Sequence, residues 1–167
     1  IPVFLVRDAM RFPEAIQGLL PSPVNNLMDP ERFWSFIARA PEATHFVVRL
    51  YSDMGTLKSF RHMPGHSVNT FVWRNGQGVG TYVKYHWIPY AGEQYIDSQE
   101  AAQWNGKNPD VAGQDLYDAI AKGEPIEYGL YVQLMNPDDA ATLPYDPLDD
   151  TKVWDERQYP LLPVVRL

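Results

Sequence analysis

The sequence predicts an α+β fold with an antiparallel sheet, and three patterns in its 167 residues support this prediction. Apolar and polar side chains alternate along residues 81–88 and 126–134, as they do in strands that bury one face. An Asn-Gly pair lies just before the first of these segments, and this dipeptide is typical of a hairpin turn. Amphipathic segments with helical spacing lie between the strand-like ones, so we expect sheet and helices in one domain.

The predicted strands combine β-branched and aromatic side chains with period-two patterning. They cover residues 1–7, 45–51, 69–74, 81–88 and 126–134. The third and fourth form a hairpin around Asn75-Gly76, where we expect the positive φ angles of a tight turn. Residues 126–134 should pair antiparallel beside that hairpin.

The predicted helices cover residues 13–20, 30–40, 98–106 and 113–121. The second of them has the clearest signals, because Asp29 is a good N-cap residue and Pro30 suits the first helical position. Phe33, Phe36 and Ile37 form its apolar stripe, which should face the core. Each helix therefore presents one face to the sheet or to another helix.

The last part of the chain is predicted to wrap over a surface instead of forming a core. Five of the 15 prolines lie between residues 136 and 163, where few apolar residues recur periodically. We therefore divide the chain into 1–135, which holds the sheet and its helices, and 136–167, which begins a wrapping segment. The strand-like start at Ile1 and the apolar end at Leu167 suggest that both ends cut through ordered structure.

Composition excludes several classes of function. The net charge of −7 disfavours binding to nucleic acid, which gains affinity by neutralising phosphates. No apolar run reaches the length of a membrane span, so we expect a soluble protein that does not enter membranes. No targeting segment is visible, which makes the cytoplasm the expected compartment. The sequence contains no cysteine, so disulfides and thiolate chemistry are excluded.

The usual catalytic and metal-binding motifs are missing. His62 and His66 have the spacing of two metal ligands on a helix, but Pro64 and Gly65 between them forbid that helix. His45 and His86 each fall in a predicted strand, where a lone histidine is usually a core or pocket-wall residue. The acidic residues between 138 and 150 lack the spacing of a calcium loop. We therefore predict neither a metal site nor a catalytic residue from these patterns.

Several phrases of the sequence, taken together and in order, resemble the central segment of heme catalases. They are Val3–Asp8, Asp29–Trp34, Arg61–Met63, Val83–Trp87, Asp115–Ile120, Tyr131–Met135 and Asp146–Trp154. The resemblance extends over essentially all 167 residues. It implies half of an eight-stranded antiparallel β-barrel with short helices in residues 1–135 and the start of a proline-rich wrapping segment in 136–167. In that family the complete barrel surrounds a buried heme, and the complete protein is a homotetramer.

The resemblance also implies a role for four residues. Phe4 and Phe12 match the two phenylalanines that restrict the space over the heme iron, and Val68 and Asn69 match positions near the heme edge. Many members carry histidine where Asn69 stands. The family converts hydrogen peroxide to water and oxygen with a distal histidine, an asparagine and a tyrosine ligand to the iron. By the resemblance these three lie outside Ile1–Leu167, so we expect the isolated chain to be inactive.

Some catalases bind a protective NADPH, and the resemblance extends to that site only in part. Matching positions are held by His45, Ser52, His86 and Trp154, whereas Met54, Pro64, Ile88 and Glu156 replace residues that bind the nucleotide. We therefore expect that NADPH does not bind. Two alternatives to a catalase segment remain: a non-enzymatic module that binds heme or another apolar ligand, and an assembly element built on the wrapping segment.

Overall fold

The computed structural model describes all 167 residues and contains five helices and five strands. The helices are α1 (Phe12–Leu19), α2 (Pro30–Arg39), α3 (Thr44–Leu50), α4 (Ser98–Lys107) and α5 (Val111–Ala121). The strands are β1 (Gly65–His66), β2 (Phe71–Arg74), β3 (Gly80–Pro89), β4 (Tyr128–Met135) and β5 (Leu162–Arg166). Short 3₁₀ turns connect them, and the longest is Pro137–Thr142.

The strands form one open antiparallel sheet with β3 and β4 at its centre. β4 pairs with β3 from Tyr82↔Met135 to Pro89↔Tyr128, and β5 lies on the other side of β4. β1 and β2 both pair with the remaining side of β3, so they are two pieces of one interrupted edge strand. Ser67 bridges the interruption, because its N–H donates to the Tyr85 carbonyl and its hydroxyl accepts from the Tyr85 N–H. The predicted hairpin and its antiparallel neighbour are confirmed.

The hairpin turn differs in detail from the prediction. The positive φ angle, 80°, lies at Gly78 and not at Asn75 or Gly76. Asn75 contributes through its side chain, whose Oδ1 accepts hydrogen bonds from the backbone N–H groups of Gln77 and Val79. Asn75 therefore stabilises the turn through its side chain. Asparagine is common in turns for this reason as well as for its tolerance of the left-handed backbone conformation.

Two apolar clusters hold the elements together. The larger joins the first residues of the chain to α1, α2 and the turn before α3, and the smaller packs the wrapping segment against β4. Their buried members are Leu5, Val6, Ala15, Phe36, Ala40 and Ala43 in the larger cluster and Met135, Trp154 and Tyr159 in the smaller. Residues of the wrapping segment thus pack against one face of the sheet. The division of the chain into 1–135 and 136–167 remains a prediction.

The predicted strand at 45–51 is wrong, because this segment forms α3. A 3₁₀ turn over Pro41–Ala43 leads directly into the helix. The helix packs Phe46 against the larger cluster. It also places His45 and Arg49, four residues apart, on one side. A short run of β-branched residues does not distinguish a strand from a helix, and tertiary packing decides between them here.

Two further differences concern the ends of the chain. The predicted strand over residues 1–7 is wrong: the segment is buried at Val3, Leu5 and Val6, but no strand lies beside it. Its one backbone bond to the wrapping segment runs from the Phe4 N–H to the Asp150 carbonyl, at 2.8 Å. β5, in contrast, is a strand that the sequence analysis missed.

The four predicted helices are confirmed as α1, α2, α4 and α5, with ends shifted by one or two residues. Asp29 caps α2 as expected, because its side chain accepts from the Glu31 N–H at 3.0 Å. None of the helices has both the length and the apolar character that crossing a membrane would require.

Candidate functional site

Phe4 and Phe12 form a stacked aromatic pair at the start of α1. Their ring centroids are 5.6 Å apart and the ring planes differ by 25°. Phe4 packs against the larger apolar cluster, while Phe12 is the first residue of α1 and remains 41% exposed. The pair therefore presents a flat apolar surface, which suits one wall of a site for a planar apolar group.

Val68 and Asn69 lie in the interruption between β1 and β2. The Asn69 carbonyl accepts from the Ser67 hydroxyl at 3.3 Å, and the Asn69 side chain makes no hydrogen bond. Thr70, the next residue, donates from its hydroxyl to the Pro147 carbonyl at 2.7 Å. No hydrogen bond joins Val68 or Asn69 to the phenylalanine pair.

One loop, residues 146–151, contacts both parts of this candidate site. The Pro147 carbonyl accepts from the Thr70 hydroxyl, and the Asp150 carbonyl accepts from the Phe4 backbone N–H. The loop is organised by buried Asp149, whose carboxylate accepts from the N–H and the hydroxyl of Thr151 at 2.9 and 2.7 Å. Burial opposes ionisation of Asp149, but the bonds from Thr151 and the nearby Lys152 and Arg7 outweigh it and lower the pKa.

The four residues can form part of a heme site without binding its iron. Phe4, Phe12 and Val68 offer rings and methyl groups, and Asn69 offers an amide for a polar edge. None of the four is a histidine, tyrosine, cysteine or methionine, the side chains that bind heme iron. Their chemistry therefore fits walls and edge contacts around a heme.

A cavity of about 1140 Å³ lies between the end of α3, the sheet and residues 153–157. Its sheet side is formed by residues of β1, β3 and β4, and its opposite side is largely apolar. The residues that carry the argument below are Arg49, Met54, His66, Lys84, His86 and Glu156. Of the eight positions compared with a nucleotide site, six line this cavity: Met54, Pro64, His86, Ile88, Trp154 and Glu156.

A chain of hydrogen bonds determines which ring nitrogens carry protons at the cavity floor. The Gln133 amide NH₂ donates to the carbonyls of Tyr159 at 2.6 Å and Trp154 at 3.4 Å, so its oxygen faces His86. His86 Nε2, 3.0 Å from that oxygen, must therefore donate. Nδ1 of a neutral His86 then accepts from His66 Nδ1, 2.9 Å away. This leaves His66 Nε2 as a hydrogen-bond acceptor without a protein partner.

Both histidines of this pair stay neutral at neutral pH. Burial lowers the pKa of His66 to about 4, and a charge on the adjacent His86 would lower it further. Burial also lowers the pKa of His86, although the bond to Gln133 acts in the opposite direction. The lone pair of His66 Nε2 is therefore present throughout the physiological pH range.

Arg49 lines the same cavity and is oriented by His45. His45 Nδ1 lies 2.9 Å from the Thr151 carbonyl and must donate to it, so His45 Nε2 accepts from Arg49 Nε at 3.4 Å. The Arg49 Nη1 lies 3.8 Å from the Met54 sulfur, and no carboxylate lies within ion-pair distance of the guanidinium. The Nη groups of Arg49 therefore have no strong hydrogen-bond acceptor in the protein.

Lys84 is a buried cation at the edge of this cavity. Its ammonium donates to the Lys152 carbonyl at 3.0 Å and lies 5.4 Å from the centre of the Trp154 ring. Burial lowers its pKa to about 8, and the nearby Asp150 and Asp149 limit the shift. Asp150 has a buried carboxyl oxygen without a hydrogen-bond partner, and burial together with Asp149 raises its pKa.

Sequence reasoning did not find the Arg49 and His66 arrangement. The strand assigned to residues 45–51 would place His45 and Arg49 well apart, whereas the helix joins them. The sequence relates His66 only to His62, but in the fold His62 bonds to the Gly92 carbonyl at 2.7 Å and His66 bonds to His86. Among all residues, no group of three histidines or carboxylates is arranged to hold a metal ion.

Comparison with known proteins gives one consistent result. A family model described as "Catalase" matches residues 1–167. The chain is 42% identical over 160 residues to a catalase of Listeria innocua, covering 96% of this chain and 33% of that protein. It is also 42% identical over 166 residues to catalase isozyme 1 of Nicotiana plumbaginifolia, covering 99% of this chain and 34% of that protein. The chain therefore spans about a third of the length of these relatives.

Solved structures agree with the sequence relatives. A fungal catalase and catalase A from Saccharomyces cerevisiae each match with a TM-score of 0.93 and 38% identity, over 99% of this chain. The match covers 33% and 34% of those chains, respectively. An open antiparallel sheet with short helices, found within longer chains of this kind, confirms the half-barrel fold predicted from the sequence.

Proposed function

Since this chain belongs to the catalase family, we propose that it is a segment of a heme enzyme that converts hydrogen peroxide to water and oxygen. The observation that carries the proposal is the match along the whole chain in both sequence and fold. We further propose that the full-length protein is a homotetramer of the cytoplasm that binds neither nucleic acid nor NADPH.

In this proposal Phe4 and Phe12 form the apolar wall over the open face of the heme. Heme supplies redox chemistry at its iron when bound. The stacked rings would keep bulk water away from that face and leave room for a molecule as small as hydrogen peroxide. Val68 and Asn69 would contact the heme edge, and the loop 146–151 would hold both parts in place.

The 167 residues alone are proposed to be inactive. From the family resemblance we expect the distal histidine, the asparagine and the axial tyrosine to lie outside this range. The chain's own four histidines support this, because each ring is held by at least one hydrogen bond within the fold. His45 bonds to Thr151, His62 to Gly92, and His66 and His86 to one another.

The proposal can be tested by substituting the wall in the full-length protein. We expect Phe12→Ala to shift the Soret band and to slow oxygen release by about tenfold, because water gains access and the substrate is less well positioned. Tyr117→Ala on exposed α5 is the matched control and should change neither signal.

Two results would contradict the proposal. A full-length protein without a Soret band would exclude a heme enzyme. A Soret band without peroxide consumption would favour the alternative, a binding module for heme or another apolar ligand.

A further inference from the structure

We propose that the 1140 Å³ cavity binds a small organic molecule with one anionic group, held by Arg49, and one hydrogen-bond donor, held by Nε2 of His66. This site is separate from the phenylalanine wall and does not depend on the proposed peroxide chemistry. Three features of the cavity lead to this proposal: an unpaired cation, an unpaired acceptor, and acidic residues that limit the charge of the ligand.

The unpaired cation is Arg49. Its Nε is used by His45, which is itself held by the Thr151 carbonyl, so the guanidinium is oriented before any ligand arrives. The Nη groups meet only the Met54 sulfur at 3.8 Å, which is a weak acceptor. A planar guanidinium with free Nη donors binds a carboxylate, sulfonate or phosphate through two parallel hydrogen bonds.

The unpaired acceptor is His66 Nε2. The bonds from Gln133 through His86 leave it without a proton and without a partner. Burial is the main reason that the His66 imidazole is neutral, and the nearby His86 and Arg49 also lower its pKa. A polar lone pair at a cavity wall is best satisfied by an N–H or O–H group of the ligand.

Acidic residues limit how much negative charge the ligand can carry. Glu93 and Glu156 line the cavity, and neither has a cationic partner. Two other cationic side chains of the cavity have protein partners, because Arg157 pairs with Asp155 at 2.6 Å and Lys84 bonds to the Lys152 carbonyl. Further negative charge on the ligand would meet Glu93 and Glu156, so we expect a single anionic group placed at Arg49.

NADPH does not fit this arrangement. Its pyrophosphate and additional phosphate would place several negative charges beside Glu93 and Glu156. Met54, one of the residues that replace nucleotide-binding ones, offers only a thioether beside Arg49. Apolar side chains, among them Leu50, Leu57 and Trp154, form about half of the lining and suit an aromatic or aliphatic body between the two polar ends.

The test uses the full-length protein and two probes, 3-aminobenzoate and 4-aminobenzoate, which carry one carboxylate and one amine on a ring. Isothermal titration calorimetry at neutral pH should show saturable binding of at least one isomer, with one molecule per chain. Arg49→Gln should weaken that binding by about tenfold or more. Arg157→Gln, which changes a cavity cation already paired with Asp155, is the matched control and should have little effect.

Two comparisons on the unaltered protein keep the test independent of how the variants fold. The corresponding neutral aminobenzamide should bind about tenfold more weakly than the acid, because it lacks the charge for Arg49. NADPH should bind more weakly than the aminobenzoate. The proposal is overturned if neither isomer binds, if charge on the probe or at Arg49 makes no difference, or if NADPH binds more tightly.

Discussion

Gln133 shows how one buried polar residue organises both the wrapping segment and the cavity. Only 2% of the residue is exposed, and its amide joins β4 to the carbonyls of Trp154 and Tyr159 on one side and to His86 on the other. The sequence pattern places Gln133 on the polar face of a strand but gives no indication that this face is covered. The face is covered by residues 154–159, which are distant in the sequence, so the fold is needed to see it.

Replacing Gln133 should therefore be costly. We expect Gln133→Leu to lower the free energy of unfolding by about 3 kcal/mol, because two carbonyls and the His86 N–H lose their partner in a buried place. Gln114→Leu on exposed α5 removes only a bond to Asp118 and should cost less than about 0.5 kcal/mol. Urea denaturation followed by circular dichroism measures both, and equal values for the two variants would contradict this account.

Asp115 is the residue whose charge should make stability most clearly dependent on pH. Arg61 binds both of its oxygens, at 2.8 and 2.9 Å, and Ser59 donates to one of them. These bonds lower the pKa of Asp115 from 3.8 to about 2. A carboxyl with a lowered pKa stabilises the folded state above its unfolded pKa and loses that contribution as the pH falls through its folded pKa.

Asp115→Asn should consequently cost about 1 kcal/mol at neutral pH, a modest value because the side chain is 36% exposed and screened by solvent. Between pH 3.8 and about 2 the difference between the variant and the unaltered protein should shrink towards zero. Unfolding free energies measured across this range provide the test. A difference that stays constant down to pH 2 would show that the ion pair is not its source.

Helices and strands that depend mainly on their own residues could be predicted from the sequence. The N-cap and proline at the start of α2 and the alternation in β3 and β4 were sufficient to place these elements. α3 was predicted as a strand, because a run of β-branched residues fits either a helix or a strand. β5 was not predicted, because this short proline-containing segment becomes a strand only by pairing with β4. The residues proposed to surround the heme were suggested only by the family resemblance. The cavity could be found only from the fold, because its lining comes from distant parts of the chain.

The two sides of α2 provide a test of helix packing. Phe36 is 2% exposed within the larger cluster, whereas Trp34 is 46% exposed on the other side and contacts the rings of Phe33 and Tyr51. We expect Phe36→Ala to lower the free energy of unfolding by about 4 kcal/mol and Trp34→Ala by about 1 kcal/mol. If denaturation gave the larger loss for Trp34→Ala, the assignment of the buried face would be wrong.

The molecule as a whole has two open sheet edges and a large exposed apolar surface. β5 forms one edge and the interrupted strand β1/β2 the other. Exposed apolar residues on these strands include Phe71, Val72, Trp73, Val164 and Val165. Unpaired strand edges beside apolar side chains favour association. We therefore expect the isolated 167-residue chain to form oligomers or aggregates in analytical ultracentrifugation, and a stable monomer with a cooperative melt would contradict this expectation.

The central claim is that these residues are a segment of a heme catalase, and one combined measurement tests it most directly. The purified full-length protein would be examined by intact mass, visible absorption and oxygen release on addition of hydrogen peroxide. We predict a mass well above 19.1 kDa, a Soret band, and rapid oxygen release that depends on heme content. A long chain that shows neither the Soret band nor oxygen release would contradict the claim and leave a catalase fold without catalase activity.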